Sequence, residues 1–462
     1  MSKDLHEYLN KIEKEYPQNL VNIEKEVDPQ GFEVSAIMQH LTNQNRYPII
    51  CFNKTKNVKG NSSSLPLAYN LFATRELCAL ALDVPPEKSN MVLSLEFSKR
   101  ETENIEPILI DKKDAPVKEI IKRGKEIDLE ELPAARYHEM DVGPYLTMVN
   151  IMKDDEANFY DVSFCKNLIL NSKKVTVSLH HTIRKHLLYI LEKNEEKDVP
   201  TPIVIVLGHH PAFFLGAGAI KEFGNNDYET IGSFLQEPLR LTPSESWGEK
   251  FLVPADAEIV IEGEVLPKER EIQNPFGEYS GYYQPQCLMP VMVVKAITQR
   301  KNAIMQGIFP GHESHFNLGS IPKEGSIYNE IKKVEPGVVG VYLPHSGTGR
   351  LSCYVSIKKK REGDAKQAGL MPLLLSGQIK YVVVVDDDVD IYNEKEVVWA
   401  MITRLNISRG VDIIKNMPRG DRVLIDATKP LDFPFPEKNK VPDDVMRKIR
   451  LEDFIKNLKG QH

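Results

Sequence analysis

The middle of the chain is a succession of short apolar runs rich in β-branched residues, and Gly, Pro and Asn turns separate them. Between about residues 107 and 298 these runs lie at 145–152, 160–170, 175–179, 203–207, 259–265 and 291–297. Short strands at such close spacing are typical of a β-barrel or a β-sandwich. Helical spacing of apolar residues is found here at 181–192 and around 228–235. This segment is therefore predicted to be a barrel or sandwich with inserted helices.

The two flanking segments have a different pattern, in which helices alternate with strands. Before residue 110, helices are predicted at 4–15, 33–43 and 74–82, and a buried strand at 47–52. After residue 300, strands are predicted at 340–343, 351–357 and 381–385, and helices at 365–376 and 395–405. Pro372 is expected to kink or split the first of these helices. An amphipathic stretch at 445–458 is predicted to be a docking helix.

These patterns predict a fold of the α/β (α+β) class with three domains, at 1–110, 111–300 and 301–462. The composition excludes several other classes of protein. The 462 residues include 59 Lys and Arg against 66 Asp and Glu, a formal net charge of −7, which argues against a nucleic-acid-binding surface. The five cysteines include no CxxC pair, so neither a disulfide framework nor a zinc ribbon is expected. No signal-peptide layout and no apolar run of ~18 residues is found, so a cytoplasmic protein without a membrane span is predicted.

Several short motifs carry only a weak signal for a ligand. The stretch Gly216-Ala217-Gly218 lacks the third glycine of a dinucleotide fingerprint, and a close backbone approach is the favoured interpretation. The acidic run at 386–390 could bind a divalent cation, although a polar loop at a strand end is favoured. The His pairs at 180–181 and 209–210 each offer at most one inward ligand, because neighbouring residues of a strand face opposite sides. The spacing of His312 and His315 is similarly weak as a metal signal.

The segment 274–282 is more informative, because it places one carboxylate, Glu278, among a proline, two glycines and three aromatic residues. Such a turn is rigid, and a carboxyl group held near aromatic side chains suits proton transfer. A structural turn with an exposed glutamate explains the same residues. From the residues alone, both interpretations stay open.

At this motif the sequence resembles the UbiD family of prenylated-flavin-dependent (de)carboxylases. The resemblance rests on QNPFGEYSGY at 273–282, VPADAEIVIEG at 253–263, DDDVD at 386–390, VWA at 398–400, TR at 403–404 and DAT at 426–428. The order and spacing of these motifs agree with the family from about residue 4 to residue 430. The resemblance therefore covers nearly the whole chain.

The resemblance implies an N-terminal α/β domain, a central split β-barrel like that of flavin reductases, and a C-terminal α/β domain that carries the oligomer interface. It implies prenylated FMN as cofactor, supplied by a flavin prenyltransferase. A divalent cation, usually Mn²⁺, and K⁺ would help to hold the cofactor phosphate. A homodimer or a trimer of dimers is expected, acting on a small-molecule carboxylic acid.

Carried over position by position, the family's metal ligands fall on Asp161, His180 and Asp227, in place of an Asn, a His and a Glu. The lysine that contacts the flavin phosphate falls on Lys366. The other flavin-contacting positions fall on residues of the central segment, namely Thr147, Ser163, Leu179 and His180.

The family's catalytic Glu-Arg-Glu triad falls on Gln273, Lys166 and Glu278, so two of its three positions differ. Lys166 keeps the positive charge but lacks the planar fork of arginine, and Gln273 cannot transfer a proton as a carboxylic acid does. One hypothesis is a reversible decarboxylase with Glu278 as proton donor, Lys166 as carboxylate anchor and Gln273 as a hydrogen-bonding group. A second is a member without decarboxylase activity, which acts as a subunit of a carboxylase complex or binds flavin for other chemistry. A third is a protein that uses unmodified FMN.

Overall fold

The structure is a computed structural model that describes residues 3–179 and 185–455. Its first layer is a four-stranded sheet in the order Leu20–Ile23, Ile49–Phe52, Leu67–Tyr69 and Met305–Gln306. The last of these strands comes from far along the chain and pairs in parallel with Leu67–Tyr69. The helices that accompany this sheet are Leu5–Glu15, Glu33–Asn43, Arg75–Ala81 and Met91–Glu101.

The central layer is a nine-stranded antiparallel sheet. Eight strands follow in the spatial order Phe159–Phe164, Val149–Asp154, Thr201–Val206, Ile259–Gln273, Cys287–Gln299, Lys174–Thr176, Asn167–Asn171 and Tyr145–Leu146. The ninth, Ile120–Arg123, pairs with Cys287–Gln299. The two longest strands shift register after Glu262 and again after Val265. Such bulges increase twist and bend a strand, and the sheet is curled into a half-barrel.

Smaller sheets and helices surround the half-barrel. A three-stranded sheet contains Gly248–Pro254, Arg240–Ser244 and Ile108–Leu109, and the two hairpins are Thr55–Lys56 with Ser62–Ser63 and Phe276–Gly277 with Tyr283–Gln284. The helices are Lys185–Glu196, Pro211–Ala217, Asp227–Leu235 and the long Glu313–Val334. Short 3-10 turns lie at Pro17–Asn19, Pro86–Lys88, Lys112–Asp114, Pro116–Lys118, Gly124–Glu126, Leu129–Glu131, His345–Gly347 and Leu451–Asp453.

The C-terminal layer is a five-stranded sheet in the order Val338–Tyr342, Ser352–Ile357, Tyr381–Asp386, Arg422–Asp426 and Val411–Ile414. Its three central strands are parallel, and the outer two are antiparallel to their neighbours. The helices are Asp364–Leu375, Glu394–Arg404, Ile407–Gly410 and Asp443–Lys448. Valines 382 to 385 are fully buried, as expected for a parallel strand covered on both faces.

One continuous hydrophobic core runs from Leu5 to Ile321 and joins the N-terminal layer to the half-barrel. The C-terminal sheet has a separate core on each face. The predicted fold class, a mixed α/β protein around a curled barrel-like sheet, is confirmed. The domain boundaries near residues 110 and 300 stay a prediction.

Two expectations about local structure need correction. Pro372 does not split its helix, which continues from Asp364 to Leu375. The predicted docking helix at 445–458 is wrong over its described part, because the helix ends at Lys448 and none of its residues is buried. Among the described helices, none is both long enough and apolar enough to cross a membrane.

Candidate active site

A cleft of about 770 Å³ opens where the half-barrel faces the long helix Glu313–Val334. Its walls include the strand ends near Asp161 and Lys166, residues 217–221, the turn around Glu278, and the side of the long helix. A cleft of this size, lined by apolar groups with a few charged ones, is the usual form of a small-molecule site.

The turn that carries Glu278 is fixed by backbone hydrogen bonds. The Glu278 N–H donates to the Tyr282 carbonyl at 2.9 Å, and the Gly281 N–H donates to the Glu278 carbonyl at 3.0 Å. Gly281 has φ +79°, a conformation that glycine adopts without strain. The Gly277 N–H donates to the buried Asp141 carboxylate at 2.9 Å. The backbone on both sides of Glu278 is therefore held in place.

The Glu278 side chain forms a hydrogen-bonded ion pair with Lys166. Both side chains are only 19 % exposed. The Lys166 Nζ also lies 4.5 Å from the ring centroid of Phe276, a cation–π contact. Because both residues line the cleft, the interpretation of Glu278 as an exposed residue of a structural turn is wrong.

Gln273 does not join Lys166 and Glu278 at the cleft surface. Its side chain is fully buried, its Oε1 accepts a hydrogen bond from Thr176 Oγ1, and its Nε2 has no hydrogen-bond partner among the described residues. Gln273 does not belong to the residues that line the cleft. Its predicted catalytic role therefore has no support from its position, and the physical reason is that its strand turns the side chain into the core.

Two acidic residues lie together in another part of the cleft. Asp161 Oδ2 is 2.9 Å from His186 Nδ1, and the Asp227 carboxylate accepts the Val162 N–H at 2.8 Å. Burial and the neighbouring Asp161 charge raise the pKa of Asp227 well above its usual value. Asp161 Oδ1 is buried without a hydrogen-bond partner in the described part of the chain.

The predicted third ligand, His180, lies outside the described residues. Among the residues that are described, no group of three or more His, Cys, Asp or Glu side chains is arranged to hold a metal ion. The predicted metal site therefore stays a prediction. His186 was not predicted as a neighbour of Asp161, because nothing in the helical pattern around it marked its side chain.

The predicted flavin contacts are divided between cleft and protein interior. Ser163 lines the cleft, and so does Thr147, whose Oγ1 donates to the Ile308 carbonyl at 2.9 Å. Leu179 is buried and does not line the cleft. Lys366 is on the surface and pairs with Asp412 at 2.9 Å, so its predicted contact with a flavin phosphate needs correction: its helix packs on the C-terminal sheet and not at the cleft.

Sequence reasoning missed the cationic wall of the cleft, which contains Lys323 and Arg350. Lys323 Nζ donates to Gln378 Oε1 at 2.7 Å. Burial, together with the charges of Arg350 and Arg419, lowers the pKa of Lys323 to about 7. These residues come from separate elements, so no local motif could indicate them.

Three of the weaker motifs have a structural explanation within the described residues. Asp386 and Asp388 both accept hydrogen bonds from Arg404, which supports the polar-loop interpretation of the acidic run. A Cβ on Gly216 would lie 3.0 Å from Ile231 Cα, so this stretch is a close approach of two helices. The buried His210 caps the helix Pro211–Ala217 through its Nδ1.

The half-barrel, the C-terminal sheet and the cleft between the half-barrel and the long helix define a class of protein. Family models of 3-octaprenyl-4-hydroxybenzoate carboxy-lyase match the chain in three parts: its N-terminal domain at residues 13–93, its Rift-related domain at 109–313 and its C-terminal domain at 316–428. The chain therefore belongs to the UbiD family of carboxy-lyases, as the resemblance predicted.

Individual relatives agree with this assignment. The structure is similar to the UbiD-class enzyme HmfF from Pelotomaculum thermopropionicum, solved in an evolved dimeric form in complex with prFMN, with a TM-score of 0.89 and 33 % identity over 98 % of this chain and 100 % of that chain. The phenolic acid decarboxylase of Sedimentibacter hydroxybenzoicus is 28 % identical over 486 residues, 99 % of this chain and 98 % of that protein. The anhydromevalonate phosphate decarboxylase of Methanothermobacter thermautotrophicus is 30 % identical over 322 residues, 67 % of this chain and 75 % of that protein.

Proposed function

We propose that this chain catalyses the reversible, non-oxidative decarboxylation of an unsaturated or aromatic carboxylic acid with prenylated FMN. The observation that carries the proposal is the ion pair of Lys166 with Glu278 on the wall of the cleft. It places a cation that can bind a carboxylate beside an acid that can deliver a proton. The family membership and the prFMN complex of the HmfF relative support the choice of cofactor.

The residues of the cleft fit a bound flavin phosphate and a cation. Asp161 Oδ1 and Ser178 Oγ are buried polar atoms in the cleft lining that lack a partner among the described residues, and such atoms are satisfied by a ligand or by water. Asp161 and Asp227 place two carboxylates side by side, a donor set that suits a hard divalent cation such as Mn²⁺. With His180 they would hold that cation, and K⁺ would assist at the phosphate.

When bound, prenylated FMN supplies the electron sink that allows a carbon–carboxylate bond to break at an unsaturated carbon. The chain's own residues bind and protonate the substrate. Lys166 would bind the reacting carboxylate and so exchange its contact with Glu278 for one with the substrate. Glu278, held by its fixed turn, would take up a proton from water once its contact with Lys166 is lost, and would deliver that proton to the carbon that CO₂ has left. The reverse reaction would use the same two groups in the opposite order.

The proposal also covers the supply of the cofactor, the location of the enzyme and its oligomeric state. A flavin prenyltransferase would supply the cofactor, and the protein would act in the cytoplasm. The dimeric form of the HmfF relative supports a homo-oligomer, either a dimer or a hexamer.

The test is to co-express the protein with a flavin prenyltransferase, with Mn²⁺ and K⁺ supplied, and to identify the released cofactor by mass spectrometry. We expect prenylated FMN in near-stoichiometric amount, and CO₂ release from members of a panel of aromatic, cinnamic and polyenoic acids. Ordinary FMN, or no flavin, would contradict the proposal. Prenylated FMN without CO₂ release from any acid would favour a non-decarboxylating subunit of a carboxylase complex, for which the replacement of a triad carboxylate by Gln273 is the motivating observation.

A further inference from the structure

A buried carboxylate lies beneath the turn that carries Glu278. The Asp141 side chain is fully buried, and three backbone N–H groups donate to its carboxylate. Those of Tyr137 and His138 donate to Oδ2 at 3.1 and 2.9 Å, and that of Gly277 donates to Oδ1 at 2.9 Å. Hydrogen bonds of this kind compensate a buried charge for the loss of water.

Of these three hydrogen bonds, one leaves the loop that contains Asp141. Tyr137 and His138 come shortly before Asp141 in the sequence, so their N–H groups close a local turn. Gly277 lies 136 positions further along the chain. A carboxylate that closed its own loop alone would have no use for this third contact, which ties two distant parts of the chain together.

The loop of residues 137–141 is itself fixed to the N-terminal part of the chain. Arg136 Nε donates to the Asp141 carbonyl at 2.6 Å, and the Arg136 N–H donates to the Pro29 carbonyl at 3.1 Å. The Arg136 guanidinium also lies 5.0 Å from the ring centroid of Phe32. Asp141 is therefore held on its own side before it contacts the turn.

The Gly277 N–H belongs to a peptide unit that lies between two contacts of Lys166. The ring centroid of Phe276, on one side of it, is 4.5 Å from the Lys166 ammonium. Glu278, the ion-pair partner of that ammonium, follows directly on the other side. A Cβ on Gly277 would clash with the His138 ring, so glycine permits the close approach of turn and loop. One hydrogen bond thus fixes both the ring and the carboxylate relative to the ammonium.

We propose that Asp141 is a positioning residue, whose carboxylate fixes the turn at Gly277 and so holds Glu278 in the place from which it delivers its proton. This inference rests on the proposed function, in which Glu278 is the proton donor. Asp141 does not line the cleft, so it acts through the turn and not on the substrate. A reacting group that is misplaced by about 1 Å can cost about 100-fold in rate, so this one contact matters for turnover.

The variant Asp141→Asn separates the turn from the loop. An amide has a single oxygen, which satisfies both loop N–H groups when it takes the place of Oδ2. The NH₂ group then faces the Gly277 N–H, and two donors cannot form a hydrogen bond. The opposite orientation would leave two N–H groups without an acceptor instead of one. This variant should therefore keep the loop and lose its link to the turn.

The test has two readouts on the protein loaded with prenylated FMN. Hydrogen–deuterium exchange followed by mass spectrometry should show at least about tenfold faster exchange at 274–282 in Asp141→Asn, the effect of losing a hydrogen bond to a charged group. Steady-state kinetics should show kcat lowered by about tenfold or more, with KM changed by less than about twofold and flavin content preserved. A general loosening of the cleft would raise KM or release flavin as well.

Asp141→Ser is a second variant with the same expectation. Its hydroxyl lies one bond closer to the backbone, so it can accept the loop N–H groups as in an ST-turn but no longer reaches Gly277.

Asp154→Asn is the matched control. Asp154 is also buried, accepts the N–H groups of Glu156 and Ala157 at 3.0 Å each, pairs with Lys193, and does not line the cleft. This control should lower the apparent Tm and leave both kcat and the exchange at 274–282 unchanged.

Unchanged exchange at 274–282 in Asp141→Asn and Asp141→Ser would overturn the inference, and so would faster exchange with unchanged kcat. An equal loss of kcat in Asp154→Asn would overturn it as well, because any buried carboxylate would then have the same effect. Faster exchange in Asp141→Asn together with no CO₂ release by the wild type from any acid would support the fixing of the turn by Asp141 and contradict the proposed function. The two failures can therefore be distinguished.

Discussion

Lys166 and Glu278 form an ion pair on the wall of the cleft although 112 positions separate them in the sequence. The strand Phe159–Phe164 ends just before Lys166, and the fixed turn at 274–282 carries Glu278 towards it. Phe276 covers the ammonium on one side. This geometry keeps a cation and a carboxylate together where both side chains are mostly buried, which strengthens their interaction.

The first prediction concerns the charge at position 166. Lys166→Met should lower kcat/KM by about 100-fold or more, because it removes the proposed carboxylate anchor and leaves Glu278 without its partner. Lys166→Arg keeps the charge and should retain activity to within about tenfold. Steady-state kinetics with flavin content measured on each variant would decide this. Equal activity of Lys166→Met and the wild type would exclude the anchoring role.

The second prediction concerns the acidic pair. Asp227→Ala should lower bound Mn²⁺ and flavin by about tenfold or more, because it removes one of two carboxylates next to each other in the cleft. Glu229→Ala is the matched control, since Glu229 accepts a hydrogen bond from Asn226 and does not line the cleft. Metal analysis and flavin absorbance measure both quantities. Undiminished metal in Asp227→Ala would show that the cation binds elsewhere.

The third prediction concerns the turn that carries the proposed acid. Gly277→Ala would place a Cβ 2.2 Å from His138 Nδ1, so the turn or the imidazole must move. We expect kcat to fall by about tenfold or more, with flavin content preserved, because a shift of the backbone at residue 277 also displaces the adjacent Glu278. Gly281→Ser is a comparison in the same turn, where a Cβ meets nothing within 4 Å and only the positive φ is strained. A larger loss of kcat in Gly281→Ser would contradict the account.

The fourth prediction concerns stability and pH in the C-terminal sheet. Although burial opposes it, hydrogen bonds from Arg404 and Lys429 lower the pKa of Asp388 to about 2. A carboxyl whose folded pKa is lowered contributes stability above its unfolded pKa of about 3.9, and that contribution is lost as the pH falls towards 2.

Asp388→Asn should therefore lower the apparent Tm by about 1–2 °C at pH 7, and this difference should shrink between about pH 4 and pH 2. The exposed neighbour Asp387 provides the control variant Asp387→Asn, which should change Tm little. Thermal melts across this pH range provide the measurement. A Tm difference that stays constant down to pH 2 would show that the charge of Asp388, paired with Arg404 and Lys429, does not contribute to stability.

Much of the fold follows from local pattern. The helix Glu33–Asn43 was predicted with its observed bounds, because its apolar residues have helical spacing on one side. The strand Ile259–Gln273 was predicted too short, since beyond Val265 it is polar and its continuation depends on pairing with Cys287–Gln299. The predicted docking helix was wrong because an amphipathic pattern does not specify a surface to pack on.

The residues of the candidate site were likewise predictable only where a local motif contains them. Glu278 was found because its turn residues are contiguous in the sequence, and Lys166 through a family motif at a fixed spacing. Lys323 and Arg350 have no such signal, because only the fold brings the long helix against the C-terminal part of the chain. Lys366 was wrongly assigned to the flavin phosphate, because a motif match gives the position of a residue in the chain and not the location of its side chain in the fold.

We propose that Glu278 donates the proton that replaces CO₂. The most direct measurement is deuterium incorporation into the decarboxylated product in D₂O, compared between wild type and Glu278→Gln, with the flavin content of both proteins determined. We expect one deuterium per product molecule in the wild type, and loss of turnover by about 1,000-fold or more in Glu278→Gln with flavin still bound. Unchanged turnover and labelling in Glu278→Gln would contradict it.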